Sequence, residues 1–225
     1  MGPMGPLFFL PALLALAVAA ALADPRTLLV DDFEDGLRSG WKERSFEGHT
    51  LYEVVSDGGN RVLRAESRGT ASGLFYELSF DPREYPILTW RWKVENLVEA
   101  SDPTRKSGDD YPARLYVVFP HWFFPRTRSL NYIWATDFPV DRPIPNPFTA
   151  NAMMIAVRSG PGDVGRWVEE RRDLVADFRA AFGTDPPRAG AVAVMTDTDQ
   201  TGERAVAYYD DIRLEGREGP DPRRE

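Results

Sequence analysis

Apolar and polar positions alternate with a period of two along much of this chain. In 87–94 (ILTWRWKV), Leu88, Trp90, Trp92 and Val94 share one face while Arg91 and Lys93 share the other. In 113–119 (ARLYVVF), Ala113, Leu115, Val117 and Phe119 oppose Arg114 and Tyr116. Successive side chains of a strand point to opposite faces, so this alternation predicts half-buried β-strands. Nine more short runs rich in Val, Leu, Tyr, Phe and Trp lie at 27–33, 50–56, 61–67, 73–80, 129–135, 151–158, 166–172, 190–196 and 205–214. Turn signals separate them: Asp57-Gly58-Gly59-Asn60, Asp81-Pro82, Gly108-Asp109-Asp110 and Gly160-Pro161-Gly162. One segment breaks the pattern. Within 174–182 (LVADFRAAF), Leu174, Val175, Phe178, Ala181 and Phe182 fall on one face of a helix. Asp173 is placed to cap its start and Gly183 its end, and Pro186-Pro187 forbids continuation. Eleven short strands with no helix repeating between them predict an all-β fold: an antiparallel β-sandwich with one short helix at its edge.

Two connections are long. The segment 96–112 is polar, and 136–150 (TDFPVDRPIPNPFTA) holds four prolines. Connections beyond about 12 residues are uncommon and are often binding loops. At the front, 7–23 (LFFLPALLALAVAAALA) is an unbroken apolar run ending in Ala21-Leu22-Ala23, which reads as a signal peptide over 1–23 with cleavage after Ala23. A retained anchor is the alternative, although a run of 17 residues is short for a bilayer span. The tail 217–225 (REGPDPRRE) is charged, contains two prolines and reads as disordered. A single sandwich domain over 24–216 remains between them.

Composition narrows the compartment and the partners. The 225 residues carry 35 acidic and 27 basic side chains, a formal net charge of −8. That balance argues against nucleic acid and against membrane contact beyond the leader, while leaving room for a local basic patch. The absence of cysteine removes disulfides, thiolate metal sites and cysteine nucleophiles together. An exported chain without disulfides reads as periplasmic or secreted.

The motifs are few. Gly160-Pro161-Gly162-Asp163-Val164-Gly165 has the spacing of a dinucleotide fingerprint, but a strand-like segment follows where a helix is required, so it reads as a Gly-rich hairpin loop. His49 and His121 lie in loops and no G-x-S-x-G elbow exists, which leaves no serine-hydrolase triad. Carboxylates cluster at 31–35, at Asp109-Asp110, at Asp197 and Asp199, and at Asp210-Asp211. Calcium takes six to eight oxygen ligands, so such clusters are candidate cation sites, and solvated turn acids are the alternative. If 87–94 and 113–119 lie in one sheet, Arg91, Lys93, Arg114 and Tyr116 form a basic, aromatic-bearing surface that Tyr132 and Trp134 extend. The loop 101–112 would add Lys106, Asp109 and Asp110. The alternative for Arg114 is structural, a bidentate bond to Asp109 or Asp110.

The ends of the chain carry a resemblance. Phe33-Glu34-Asp35-Gly36 followed by Trp41, and Tyr209-Asp210-Asp211-Ile212-Arg213-Leu214, resemble the two ends of jelly-roll (galactose-binding-like) carbohydrate-binding modules. The resemblance implies that the termini lie side by side and that one structural Ca²⁺ sits between the early acidic turn and the late Asp, with Glu34 and Asp211 as its carboxylate ligands. Over almost the whole mature chain the sequence is also similar to a bacterial domain-of-unknown-function family, numbered 3047. That similarity rests on Trp90-Arg91-Trp92-Lys93-Val94, on 108–116 (GDDYPARLY), on Asn131-Tyr132-Ile133-Trp134 and on 195–199 (MTDTD), and it implies no activity. The expected function is a non-catalytic binding domain for a glycan or similar polar ligand. Its expected ligand-binding set is Lys93, Lys106, Asp109, Asp110, Arg114, Tyr116 and Trp134. Two rivals remain. A polysaccharide-active enzyme, glycosidase or lyase, would pair Asp109 or Asp110 with Asp197 or Asp199; a glycosidase needs its carboxyls about 5 Å or 6.5–9.5 Å apart. An envelope scaffold protein would bind another protein through its loops.

Overall fold

The computed structural model of this protein describes residues 26–216. The leader expected over 1–23 and the tail expected over 217–225 lie outside the described residues. Thirteen strands are formed among those described: β1 Thr27–Asp31, β2 Trp41–Glu47, β3 Leu51–Asp57, β4 Asn60–Arg68, β5 Ala71–Phe80, β6 Ile87–Val94, β7 Arg114–Phe119, β8 Arg128–Ala135, β9 Pro143–Asn146, β10 Thr149–Ser159, β11 Val168–Asp173, β12 Ala189–Asp197 and β13 Arg204–Glu215. One helix, α1, spans Leu174–Phe182. The fold is an all-β jelly-roll sandwich. One sheet runs β11-β6-β13-β4-β3, with β1 also on β13, and the other runs β2-β5-β12-β7-β8-β10-β9. The pairings are antiparallel except β10 on β8, which is parallel. β1 lies along the end of β13, Thr27 opposite Glu215, so the chain ends are side by side.

The alternation in the sequence becomes the core. Leu88, Trp90, Trp92 and Val94 of β6 face Leu115, Val117 and Phe119 of β7 and Leu130, Tyr132 and Trp134 of β8 across the sandwich, all buried. Ring contacts tie the sheets together: Trp90 to Tyr132 at 5.3 Å and Trp92 to Trp134 at 5.9 Å between centroids. Trp134 and Tyr132 therefore belong to the interior, not to a binding surface. β6 and β7 also lie in different sheets, so Arg91 and Lys93 are separated from Arg114 and Tyr116 by the core, and the single basic surface expected from them does not form. Lys93 sits on the far sheet, bonded to Asp57 and over the Tyr208 ring.

Two strands differ from the sequence expectation. β2 is an edge strand with only Trp41 buried, and its charged residues hide it from a hydrophobic pattern. β9 lies inside the proline-rich segment; Pro143 and Pro145 are tolerated because it is the outermost strand. The glycines at 160–165 form the crossing from β10 in one sheet to β11 in the other rather than a hairpin, and no helix follows them. The segment 136–148 supplies β9 to the edge of the seven-stranded sheet and two apolar side chains to its outer face. There Tyr111, Ile133, Ala135, Met154 and Ala156 form a second, smaller apolar cluster with Phe138 and Ile144. This cluster covers part of that face and leaves the rest open.

Candidate functional site

The open part of that face is a groove with a cavity volume of ≈ 340 Å³. Alternation positions its floor. Leu115, Val117, Val192 and Val194 point into the core, so Arg114 and Tyr116 of β7 and Met195 and Asp197 of β12 point outward into the groove. Asn131 of β8 does the same. Phe46 of β2 and Phe148 after β9 stand at the rims, 60% and 54% exposed. Asp109, Asn146, Asp199 and Gln200 close one end.

Arg114 organises this end. Its Nε donates to Asp197 Oδ1 at 2.7 Å, and its Nη2 donates to Asp197 Oδ2 and to the carbonyl of Asp109. Its guanidinium lies 4.4 Å from the centroid of the Tyr111 ring. Arg114 is 4% and Asp197 1% exposed, so this is a buried bidentate pair. The partner is thus Asp197, where Asp109 or Asp110 was expected; Asp109 contributes its carbonyl and a carboxylate oxygen 3.7 Å from Nη1. Asp110 is fully buried and accepts from the backbone N–H of Gln200 at 3.3 Å and of Thr201 at 2.6 Å. Burial pushes the Asp197 carboxyl up from its ordinary value; Arg114 opposes the rise and Asp110 adds to it. Burial and Asp110 raise Asp199 as well. Burial likewise raises the Tyr111 and Tyr116 hydroxyls, which keeps both neutral.

Asp110, Asp197 and Asp199 each offer a carboxylate oxygen within 4.8 Å of the others, a set that can hold a metal ion. Glu34 and Asp211 are not in that set. Glu34 Oε1 accepts from the Arg61 N–H at 3.1 Å, and Asp211 is engaged by Arg91 Nε at 2.8 Å and Arg213 Nη2 at 2.6 Å. A backbone amide holds the Glu34 carboxylate and two arginine side chains hold Asp211 where a cation was expected.

Of the expected ligand-binding residues, Asp109, Arg114 and Tyr116 line the groove, Lys106 stands beside it with its Nζ 5.1 Å from the Phe148 centroid, and Asp110 is buried behind it on the backbone of Gln200 and Thr201. Lys93 and Trp134 do not. The sequence reading missed Asn131, Asn146, Phe46 and Phe148. Asn131 had a signal: it is an amide in the middle of an apolar strand (SLNYIWA), on the parity opposite to its core residues. Two acceptors in the groove lack hydrogen-bond partners, Asn131 Oδ1 and Asp109 Oδ1. The other Asp109 oxygen accepts from Asn146 Nδ2 at 2.8 Å.

Fold and groove together define a β-sandwich with one open sheet face, walled by aromatic rings and floored by polar side chains. Residues 39–213 match DUF3047, described as a protein of unknown function, and the chain belongs to that family. No curated protein sequence matches it. Among solved structures it is similar to the family 11 carbohydrate-binding module of the cellulosomal cellulase Lic26A-Cel5E of Clostridium thermocellum, with 14% identity over 87% of this chain and 98% of that chain and a TM-score of 0.48. It is also similar to a non-crystalline cellulose-specific module, CBM28, with 15% identity over 84% and 95% and a TM-score of 0.43. For a family 29 carbohydrate-binding module the values are 10% identity, 84% and 86%, and 0.42.

Proposed function

We propose that this protein is an exported, non-catalytic binding domain whose ligand, a glycan or similar polyhydroxylated molecule, lies in the groove over β12, β7 and β8. The similar solved structures are carbohydrate-binding modules, but the assignment rests on the groove's own chemistry. The observation that carries it is the exposed rings of Phe46 and Phe148 on a groove whose floor holds two oxygens without a hydrogen-bond donor, Asn131 Oδ1 and Asp109 Oδ1, the latter only in ion-pair reach of Arg114. A buried acceptor without a donor is costly. Hydroxyl groups supply the missing donors, and the C–H faces of sugar rings stack on the aromatic walls. Asp110 and Asp197 already have donors on their carboxylates, which favours binding over acid–base work. Calorimetric titration with soluble neutral and acidic polysaccharides tests the reading. Phe46→Ala and Phe148→Ala should each weaken binding about tenfold, the equivalent of about 1.4 kcal/mol, without lowering the melting temperature. Absence of saturable binding, or binding indifferent to both changes, sinks the assignment.

The same reading retains one structural Ca²⁺, in a chain with no disulfide and with three acidic side chains grouped at Asp110, Asp197 and Asp199. Free ion at 100-fold excess over Kd adds about 2.7 kcal/mol. Melting in Ca²⁺ and in chelator should then differ by several degrees; equal melting, with no metal by elemental analysis, removes the ion.

A further inference from the structure

We propose that the loop between β7 and β8 is a membrane-docking tip, and that its partner is the headgroup region of an anionic phospholipid bilayer. Trp122, Phe123 and Phe124 are consecutive and 90%, 48% and 74% exposed. Single exposed apolar residues are unremarkable, whereas contiguous ones mark interaction sites. The loop is fixed, not floppy. Arg126 N–H donates to the Phe123 carbonyl at 2.8 Å, Thr127 N–H to the Phe124 carbonyl at 2.9 Å, and Phe123 N–H to His121 Nδ1 at 3.0 Å. The loop therefore holds the rings out into solvent, where, among the described residues, Trp122 touches only the neighbouring rings of His121 and Phe123, at 5.6 and 5.9 Å between centroids. Phe124 lines a cavity shared with Tyr116 and Ser129 of the groove, whereas Trp122 lines neither that cavity nor the one beside His121, so the outermost ring is not a wall of the groove.

Charge points to the occupant. Arg126 and Arg128 flank the rings, and among the described residues neither has a carboxylate within ion-pair distance; Arg128 lies over the Phe182 ring at 4.7 Å and Arg126 is exposed. Aromatic rings beside unpaired arginines match the boundary between acyl chains and anionic headgroups, where amphipathic aromatics and cations both gain. The net charge of −8 argues against general attraction to such a surface, which leaves contact to this tip. Chain direction agrees. Thr27 pairs with Glu215, Glu215 with Ile87, and Ile87 with Asp173, after which α1 begins. Phe178 of α1 packs on Phe119, which leads into the tip, with centroids 4.6 Å apart. Thr27, the first paired residue among those described, thus lies at the end of the sandwich that bears the rings.

The test uses the full chain on vesicles of phosphatidylcholine, with and without phosphatidylglycerol, carrying brominated acyl chains that quench nearby tryptophan. Quenching should occur, be stronger with phosphatidylglycerol, and fall in Trp122→Phe to the level of Trp122→Phe without phosphatidylglycerol, because Trp41, Trp90, Trp92 and Trp134 are buried and the half-buried Trp167 precedes β11 at the end of the sandwich away from the tip. This readout reports the tip even where segment 7–23 itself holds the chain on the vesicle. Trp122→Asp with Phe124→Asp should lower the phosphatidylglycerol-dependent part of partitioning about tenfold or more at unchanged melting temperature. Phosphatidylglycerol-dependent quenching that persists in Trp122→Phe, or an unchanged phosphatidylglycerol-dependent part of partitioning in the double variant, overturns the proposal. So does a wild-type dimer in solution that the double variant abolishes, since the rings then meet a second copy. Loss of polysaccharide binding in the double variant, with no quenching in the wild type, assigns the tip to the glycan instead.

Discussion

Arg114 is the residue on which the groove depends. Its guanidinium is committed to Asp197 and to the carbonyl of Asp109, so its role in this geometry is to hold other groups in place. Removing one partner of a buried pair strands the other, and Arg114→Ala should destabilise by about 3–5 kcal/mol in denaturant unfolding. The sign of the pH dependence follows from the raised Asp197 carboxyl. Without Arg114 only the Tyr111 N–H, at 3.3 Å, still favours the charged Asp197, so its native value rises further above the unfolded one. A carboxyl raised in the native state costs stability as pH climbs from the unfolded value through the native one. The deficit of Arg114→Ala should therefore be larger at neutral pH than in mild acid; a deficit independent of pH would contradict the assignment. Asp197 lies 83 positions from Arg114, and no local spacing announces such a pair. The sequence showed only the near neighbours, Asp109 and Asp110.

Elements differ in how much of their cause is local. For α1 nearly all of it is. Asp173 Oδ1 accepts from the N–H groups of Val175 and Ala176 at 2.9 and 3.0 Å, and Gly183 ends the helix at φ +71°. Asp173→Ala should cost about 1 kcal/mol through the lost cap. Gly183→Ala should cost about the same through backbone strain alone, since a Cβ there meets nothing within 4 Å. Thermal melts of the two single variants check both, and a neutral Gly183→Ala would show that the C-cap relaxes. The strands were legible to the extent that they are half-buried. β6 and β7 alternate in the same way, and that pattern specifies which side chains face a core without specifying which sheet holds the strand. Hence Trp90, Trp92 and Phe119 were read as core, while Lys93 and Arg114 were wrongly joined. The edge strands β3 and β11 were legible, whereas β2 and β9 were not, because they bury little and carry the charges and prolines that elsewhere mark loops.

At the scale of the whole molecule, the sandwich is closed by its first strand lying along its last. Val30 is fully buried, Leu28 packs on the core, and the Asp31 carboxylate accepts from Trp41 Nε1 at 2.7 Å and the Phe33 N–H at 2.9 Å. Each fully buried aliphatic side chain contributes about 1.5–3 kcal/mol, and a stranded indole N–H costs about 1–3 kcal/mol. The sum approaches the 5–15 kcal/mol typical of a whole domain. A chain beginning at Asp24, the product of cleavage after Ala23, retains every residue of β1 and should melt as the full chain does. A chain beginning at Asp32 lacks the strand, opens the β13 edge and should show no cooperative transition near that temperature. Calorimetry on the two truncations decides the matter. If the shorter chain melts cooperatively within a few degrees of the longer, the pairing of the chain ends is a consequence of the fold and not one of its supports.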